Sequence, residues 1–188
     1  MRRPRPTIIP RRPIFLGCEG ESEQGYGQLL NDLLRAADIP VHLEVVTLNP
    51  GVGDPITRLR RAEQEIIRRQ QRRSEFAGKV VLMDSDQADD GGRPRREIEQ
   101  LARQLRIAII WQEPCHEAFL LRHLDGSSQR RPPTTTAAGA ALRAEWPQYT
   151  KPMTKLHLAR RIGLAEILRA ATVEVALADF LRELGLLT

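Results

Sequence analysis

The chain has 188 residues, a length typical of one domain, and 41% of them are hydrophobic. Its apolar runs are too short to span a bilayer, and its beginning lacks the apolar core of a secretory signal, so we expect a cytoplasmic protein that does not enter a membrane. The formal net charge is +5, and only three of the 29 basic residues are lysines. This excess of arginine favours phosphate or nucleic-acid binding, although a bias in genomic base composition would also produce it.

The beginning of the chain is basic and rich in proline. Residues 1–13 contain five arginines and four prolines, a composition that cannot hold a regular helix. We predict a disordered basic tail over residues 1–12, which is either a simple flexible end or an arm that contacts nucleic acid.

From residue 14 the chain alternates between strand-like and helix-like segments. Four short β-rich runs are predicted as strands: Ile14–Cys18, Val41–Leu48, Lys79–Met83 and Ile107–Trp111. Strands that alternate with helices form a parallel sheet covered by helices, with right-handed crossovers. We therefore predict an α/β, Rossmann-like domain over residues 13–124, with a mostly parallel four-stranded sheet flanked by helices.

Capping residues and prolines mark the helices between these strands. Ser22 is the predicted N-cap of the first helix, and Asp54 with Pro55 begins an arginine-rich second helix that ends near residue 73. Pro94 begins a third helix that ends near residue 105, and an apolar helix follows Pro114. Each predicted strand is thus followed by a helix, as parallel pairing requires.

Residues 125–188 are predicted to form a linker and C-terminal helices that pack on the same domain. Residues 125–137 carry no helix signal, whereas the chain is helical from about Ala138. The segment Leu164–Leu187 is rich in alanine and leucine. We predict one packing helix there, which could also contribute to a partner interface.

Three acidic residues follow two of the predicted strands. Glu19 comes just after the first strand, and Asp84 and Asp86 come just after the third. Ligands of parallel α/β sheets bind beyond the carboxyl ends of the strands, so these carboxylates can converge in one crevice. Their mutual repulsion favours a hard cation, and oxygen ligands of this kind suit Mg²⁺ or Mn²⁺. The alternative from spacing alone is a solvated turn or a helix cap.

Five short segments resemble the TOPRIM domain, and in particular its RloB-like and OLD-type nuclease members. The TOPRIM pattern is a strand that ends in Glu-Gly and a later strand that ends in Asp-x-Asp. The matching segments of this chain are IFLGCEG (14–20), EGESEQGY (19–26), VVLMDSD (80–86), EPCHEAFLLRH (113–123) and YTK (149–151). The chain departs from the RloB-like pattern at His116, where that family usually has phenylalanine.

The resemblance implies a TOPRIM-like fold and a Mg²⁺- or Mn²⁺-dependent nuclease that cleaves DNA or RNA, acting as the effector of an anti-phage defence system. Glu19 would be a metal ligand or a general base, and Asp84 and Asp86 would hold the ion. Glu23 and Glu117 would form a second metal site or support the first.

Several candidate residues have structural alternatives. The resemblance implies that Lys151 stabilises charge at the phosphate, but it could be an ordinary surface lysine. Glu23 could be a first-turn helix charge, and Glu117 a solvated helix residue. His116 and His123 are two helical turns apart and are interpreted as structural histidines.

Arginines are concentrated in two further places. The charged segment Arg93–Glu97 could contact nucleic acid or a partner chain. The arginines of the second helix could bind backbone phosphates, but we favour a solvated face for most of them: Arg58, Arg60, Arg61, Arg68, Arg69, Arg72 and Arg73.

Two further hypotheses concern partners. The sequence contains no Gly-x-x-x-x-Gly-Lys-Ser/Thr segment, so an ATPase that works with this chain would be a separate ABC- or SMC-like subunit, and a homo-oligomer is also compatible. The other hypothesis is a non-catalytic subunit that binds metal or nucleic acid in such an ATPase complex. It would show salt-sensitive binding without turnover.

Overall fold

The structure is a computed structural model that describes residues 10–48, 54–72, 75–86, 88 and 94–188. Sequence predictions for residues 1–9 of the basic tail fall outside these ranges. The same holds for Arg73, for Arg93 and for most of the two loops that follow the second and third strands.

Four strands form one parallel sheet. They are β1 (Arg12–Cys18), β2 (Val41–Thr47), β3 (Gly78–Asp84) and β4 (Ala108–Gln112). Their order is β2-β1-β3-β4, so β1 pairs with β2 on one side and with β3 on the other. The direction of strand addition reverses between β1 and β3, which creates a crevice at their carboxyl ends where α/β proteins bind ligands. The predicted α/β fold with a parallel four-stranded sheet is confirmed, and each strand lies within about two residues of its predicted bounds.

Three helices connect the strands and cover both faces of the sheet. They are α1 (Glu21–Ala36), α2 (Pro55–Gln70) and α3 (Arg95–Leu105). Successive strand residues point to opposite faces, so Leu16 packs in the core beneath α1, whereas Phe15 packs beneath α2 and α3. The long α2 and α3 therefore share one face of the sheet.

From residue 116 onward, where every residue is described, five shorter helices pack into the same core as α1. They are α4 (His116–Leu121), α5 (Thr135–Glu145), α6 (Lys155–Leu158), α7 (Leu164–Ala171) and α8 (Val175–Leu184). None of the helices within the described ranges combines the length and the apolar content needed to cross a bilayer.

Two predictions about the C-terminal part are wrong. The single helix predicted over Leu164–Leu187 is two helices, α7 and α8, which are interrupted at residues 172–174. The predicted linker also ends too late, because α5 already begins at Thr135. The Thr134 hydroxyl accepts a hydrogen bond from the Ala137 N–H at 3.2 Å, which supplies the N-cap that begins this helix.

One of the two predicted N-caps is confirmed. The Asp54 carboxylate accepts hydrogen bonds from the first turn of α2, as predicted. Ser22 is not the cap of α1, because the helix begins at Glu21 with Gly20 as its N-cap. The Ser22 hydroxyl instead accepts a hydrogen bond from the Met153 N–H at 3.1 Å and joins α1 to the C-terminal part.

Candidate functional site

Five carboxylates meet at the carboxyl ends of β1 and β3. Glu19 directly follows β1, and Asp84 is the last residue of the neighbouring β3. Asp86 lies two residues further on, while Glu23 and Glu117 lie in the first turns of α1 and α4. The pKa of Asp84 is raised to about 9, mainly by burial and then by the negative charges of the other four carboxylates. The structure thus places the five sequence-predicted carboxylates close enough together that the other four raise the pKa of Asp84.

A buried arginine faces the first of these carboxylates. Arg58 of α2 is only 8% exposed, and its Nη2 lies 2.8 Å from Glu19 Oε1. The other oxygen, Glu19 Oε2, accepts a hydrogen bond from the Asp84 backbone N–H at 3.3 Å. Burial raises the pKa of Glu19, and the Arg58 charge partly offsets that rise. Glu19 is therefore fixed between α2 and the end of β3.

From the sequence, Arg58 was a possible phosphate contact. Its ion pair with Glu19 was not predicted. Residues four apart share one face of a helix, and Arg58 lies on the same face as the buried Ala62 and Ile66. This helical spacing is the signal that separates Arg58 from the outward-facing arginines. Arg60, Arg61 and Arg68 instead form ion pairs with glutamates of their own helix, which agrees with a solvated face.

Glu117 and Lys151, both predicted from the sequence, are in contact. Lys151 Nζ forms an ion pair with Glu117 Oε1, and the Tyr149 hydroxyl donates a hydrogen bond to the same oxygen at 3.0 Å. Burial alone would raise the pKa of Glu117, but Lys151 outweighs it and lowers the pKa overall. Glu117 is therefore a buried, ionised partner of Lys151 and not the solvated helix residue of the alternative. Tyr149 belongs to the YTK segment, but its contact with Glu117 was not predicted.

Asp86 and Glu23 are held by contacts within the protein. The Thr135 hydroxyl of α5 donates a hydrogen bond to Asp86 Oδ2 at 2.6 Å, so the C-terminal helices reach the site. Sequence reasoning missed Thr135 because it assigned that residue to a linker. Glu23 Oε2 accepts a hydrogen bond from the Gly20 N–H at 3.1 Å, which is the first-turn helix role considered as its alternative.

The site contains oxygen atoms of the kind that a hard divalent cation binds. Three buried carboxylate oxygens have no hydrogen-bond partner among the described residues: Asp84 Oδ1, Asp86 Oδ1 and Glu117 Oε2. Within the same residues, no group of three or more acidic, histidine or cysteine side chains is placed so that it could hold a metal ion, so an ion here would be held by two carboxylates at most. Mg²⁺ commonly binds through one or two carboxylates and completes its shell with water and substrate phosphate, so an open set of this kind suits it.

The two histidines of the helix after Pro114 lie in the core. The Tyr26 hydroxyl is 2.9 Å from His123 Nε2, and His123 Nδ1 is 2.9 Å from the Phe119 carbonyl oxygen. His116 is fully buried and hydrogen-bonded to the Gln112 side chain at 2.8 Å. Burial lowers the pKa of His123 to about 3, so it is neutral at physiological pH. Both histidines support α4, as the structural interpretation expected.

The fold and the site together define an α/β protein with an acidic crevice at the switch point of a parallel sheet. The family model described as RloB-like protein matches residues 14–176. The chain therefore belongs to the RloB-like family, and the matched region contains all of the sequence-predicted site residues. No curated protein and no solved structure matches the chain significantly.

Replacing Arg58 with methionine should destabilise the metal-free protein by about 3 kcal/mol, because the partly buried Glu19 loses this cation and keeps its low exposure of 13%. A Mg²⁺ ion held nearby by Asp84 and Asp86 would offset the same negative charge, so excess Mg²⁺ should recover part of the loss if these residues bind it. The free energy of unfolding in urea, measured with EDTA and with Mg²⁺, checks both expectations.

The matched control is Arg61→Met on the same helix, which removes a largely exposed cation that pairs with Glu65. Its cost should stay below about 1 kcal/mol, as for other surface ion pairs. Equal losses in the two variants would show that Arg58 does not stabilise Glu19.

Proposed function

We propose that the protein is a Mg²⁺- or Mn²⁺-dependent nuclease with a TOPRIM-like domain, which hydrolyses phosphodiester bonds of DNA or RNA. The observation that carries the proposal is the group of five carboxylates at the β1–β3 crevice, three of which keep a buried oxygen without a hydrogen-bond partner among the described residues. The order of the Glu-Gly and Asp-x-Asp segments, each at the end of a strand, supports the TOPRIM assignment.

Asp84 and Asp86 are the residues that would hold the ion, because each keeps a buried carboxylate oxygen without a hydrogen-bond partner among the described residues. A divalent cation bound there would polarise a phosphodiester and lower the pKa of a coordinated water. Glu19 lies beside them and would accept a proton or serve as a further ligand. Burial, partly offset by Arg58, raises the pKa of Glu19, which brings it closer to that expected of a general base at neutral pH.

Lys151 would stabilise the negative charge that develops on the phosphate. Burial tends to lower its pKa, but the hydrogen bond and charge of Glu117 outweigh that effect and raise it, so the side chain is a cation at neutral pH. The side chain is 57% exposed, which lets it approach a ligand at the mouth of the crevice. A preorganised cation at this position is a common source of transition-state stabilisation. Glu117 orients Lys151, and Glu117 and Glu23 together could bind a second ion.

We further propose that this nuclease is a cytoplasmic effector of an anti-phage system whose ATPase is a separate chain. The resemblance to OLD-type and RloB-like proteins supports this role, and the sequence given has no Walker-type phosphate loop of its own. A complex with an ABC- or SMC-like ATPase, or a homo-oligomer, would then control access of nucleic acid to the crevice.

The alternative is a non-catalytic subunit that binds metal or nucleic acid. One observation favours it: Arg58 and Lys151 already neutralise Glu19 and Glu117, so two of the five carboxylates are compensated without any metal. Such a protein would retain affinity for nucleic acid without turnover.

A cleavage assay on the purified chain separates these functions. End-labelled single-stranded DNA, duplex DNA and RNA are incubated with Mg²⁺, with Mn²⁺ or with EDTA, alone and with the candidate ATPase. The nuclease proposal expects cleavage of at least one substrate with a metal ion and none in EDTA. Binding without cleavage under every condition would favour the non-catalytic subunit, and cleavage that persists in EDTA would contradict a metal-dependent mechanism.

A further inference from the structure

A cavity of about 320 Å³ opens beside the acidic crevice. One part of its wall is Ser85, which lies between Asp84 and Asp86 in the chain. Other parts are the Glu113–Pro114 segment after β4, Arg95 at the start of α3, and residues 131–133 before α5. A ligand bound in this cavity would therefore lie next to the acidic crevice. The cavity wall does not include the carboxylates that would hold the metal ion.

Arg95 is held in place on one wall of the cavity. Its guanidinium carbon lies 4.6 Å from the centre of the Trp111 ring, and its Nε and Nη1 form ion pairs with Glu99 at 3.1 Å and Glu113 at 2.7 Å. These contacts leave Nη2 without a described partner, so donors remain for a ligand. Arg95 is also the first residue of α3, where the helix dipole favours acidic side chains.

Arg131 is on another wall and is also held in place. Its Nη1 donates to the carbonyl oxygens of Ser128 at 2.9 Å and Arg130 at 3.2 Å, and its Nη2 donates to that of Val173 at 3.5 Å. The proline that follows restricts the backbone of Arg131. Its side chain remains 46% exposed, and Nε has no described partner. Two arginines with available N–H donors therefore face one cavity.

Each described carboxylate that contacts these two arginines is either exposed or shared with another cation. Glu113 lines the cavity, but its side chain is 53% exposed, and exposed ion pairs such as Arg95–Glu113 contribute little stability. Glu99 contacts Arg95 from α3, and Glu174 lies 3.9 Å from Arg131 while also pairing with the buried Arg122. A ligand with two anionic oxygens can replace Glu113 on Arg95, because the fork of N–H donors on arginine matches that geometry.

We propose that this cavity binds a phosphodiester group of the nucleic-acid strand, next to the phosphate that lies at the carboxylates. This inference rests on the proposed function, which supplies nucleic acid as the ligand and places one of its phosphates at the carboxylates. A strand carries a negative phosphate at every nucleotide, so the phosphates on either side of the one at the carboxylates also need cationic partners. The Arg95–Arg131 cavity provides cations where the strand leaves the crevice, and so fixes its position without reading its sequence.

The test is equilibrium binding in EDTA, where metal-dependent cleavage is absent. Fluorescence anisotropy with short single-stranded DNA and RNA oligonucleotides is measured over a range of salt concentrations, for the wild type, Arg95→Gln, Arg131→Gln and the double variant. Each lost phosphate contact should weaken binding several-fold and reduce the slope of log K against log salt by about 0.7. Arg131→Lys keeps the charge but loses the planar fork, so it should weaken binding and keep the slope.

The control is Arg182→Gln, which removes an exposed arginine that pairs with Asp179 on α8. It should leave both affinity and slope unchanged. Thermal unfolding of each variant identifies losses of affinity that come from misfolding. Folded Arg95→Gln and Arg131→Gln proteins with the wild-type slope would overturn the inference, as would a wild-type protein that binds neither DNA nor RNA. A reduced slope in a protein without nuclease activity would support the cavity and count against the proposed enzyme.

Discussion

Replacing Asp84 with asparagine is expected to abolish metal-dependent cleavage, with a fall of about 10³-fold or more in the single-turnover rate. The substitution keeps the shape of the side chain but removes the ionisable group at the centre of the carboxylate cluster, which would bind the metal ion in its ionised form. Charge stabilisation by a metal ion contributes several kcal/mol to the transition state, and each 1.36 kcal/mol is a factor of about ten in rate. The rate is measured with saturating protein and the substrate that the wild type cleaves best.

Asp179→Asn is the matched control for this substitution. Asp179 is an exposed aspartate on α8 that pairs with Arg182, so its loss should leave the cleavage rate within about twofold of the wild type. A folded Asp84→Asn protein that cleaves at the wild-type rate would contradict the role assigned to Asp84.

The same substitution should have an opposite, stabilising effect on the metal-free protein at alkaline pH. The pKa of Asp84 is raised to about 9 in the folded state, against about 3.9 for an aspartate in an unfolded chain. Between these values the folded state binds more protons than the unfolded state, so this group makes the free energy of unfolding fall as pH rises. The contribution of Asp84 to the free energy of unfolding is complete below about pH 4 and is lost as pH rises through about 9. Asparagine does not ionise, so the free energy of unfolding of Asp84→Asn does not fall with pH for this reason.

In EDTA at about pH 8 we expect Asp84→Asn to be more stable than the wild type by a few kcal/mol, and the difference should shrink towards pH 5. His123 contributes the reverse pH dependence in both proteins. Burial lowers its pKa to about 3, so stability falls as pH drops below about 6.5, and this effect cancels when the two proteins are compared. Urea unfolding at several pH values gives the difference directly.

Excess Mg²⁺ provides the internal control for this pH effect. A cation beside Asp84 favours its ionised form, so Mg²⁺ should stabilise the wild type at alkaline pH and leave Asp84→Asn nearly unchanged. A stability difference that stays constant with pH would show that Asp84 ionises normally in the folded protein.

The sheet and the position of its acidic residues could be predicted because both follow from local pattern. Apolar runs of strand length, separated by helix caps and prolines, define the four strands. Glu19 and Asp84 then lie at strand ends by position alone. Parallel pairing places those ends at the same edge, so the sequence is sufficient to bring the two residues near each other.

The contacts that surround these carboxylates could not be predicted from the sequence, because they depend on how the helices pack and not on a local sequence pattern. Arg58 reaches Glu19 only because α2 packs across β1 and β3, and Thr135 reaches Asp86 only because α5 begins earlier than its weak helix signal indicated. The break between α7 and α8 was missed for a related reason. Residues 172–174 contain neither glycine nor proline, so the sequence carries no marker of the interruption.

The central claim is that the β1–β3 carboxylates bind a divalent metal ion. A titration with such an ion tests it directly. Titration with Mn²⁺ at neutral pH, followed by the electron paramagnetic resonance signal of the free ion, measures this binding without nucleic acid or turnover. We predict saturable binding by the wild type and by Asp179→Asn, and an affinity lower by about tenfold or more for Asp84→Asn. Equal Mn²⁺ affinity in Asp84→Asn and the wild type would contradict the claim.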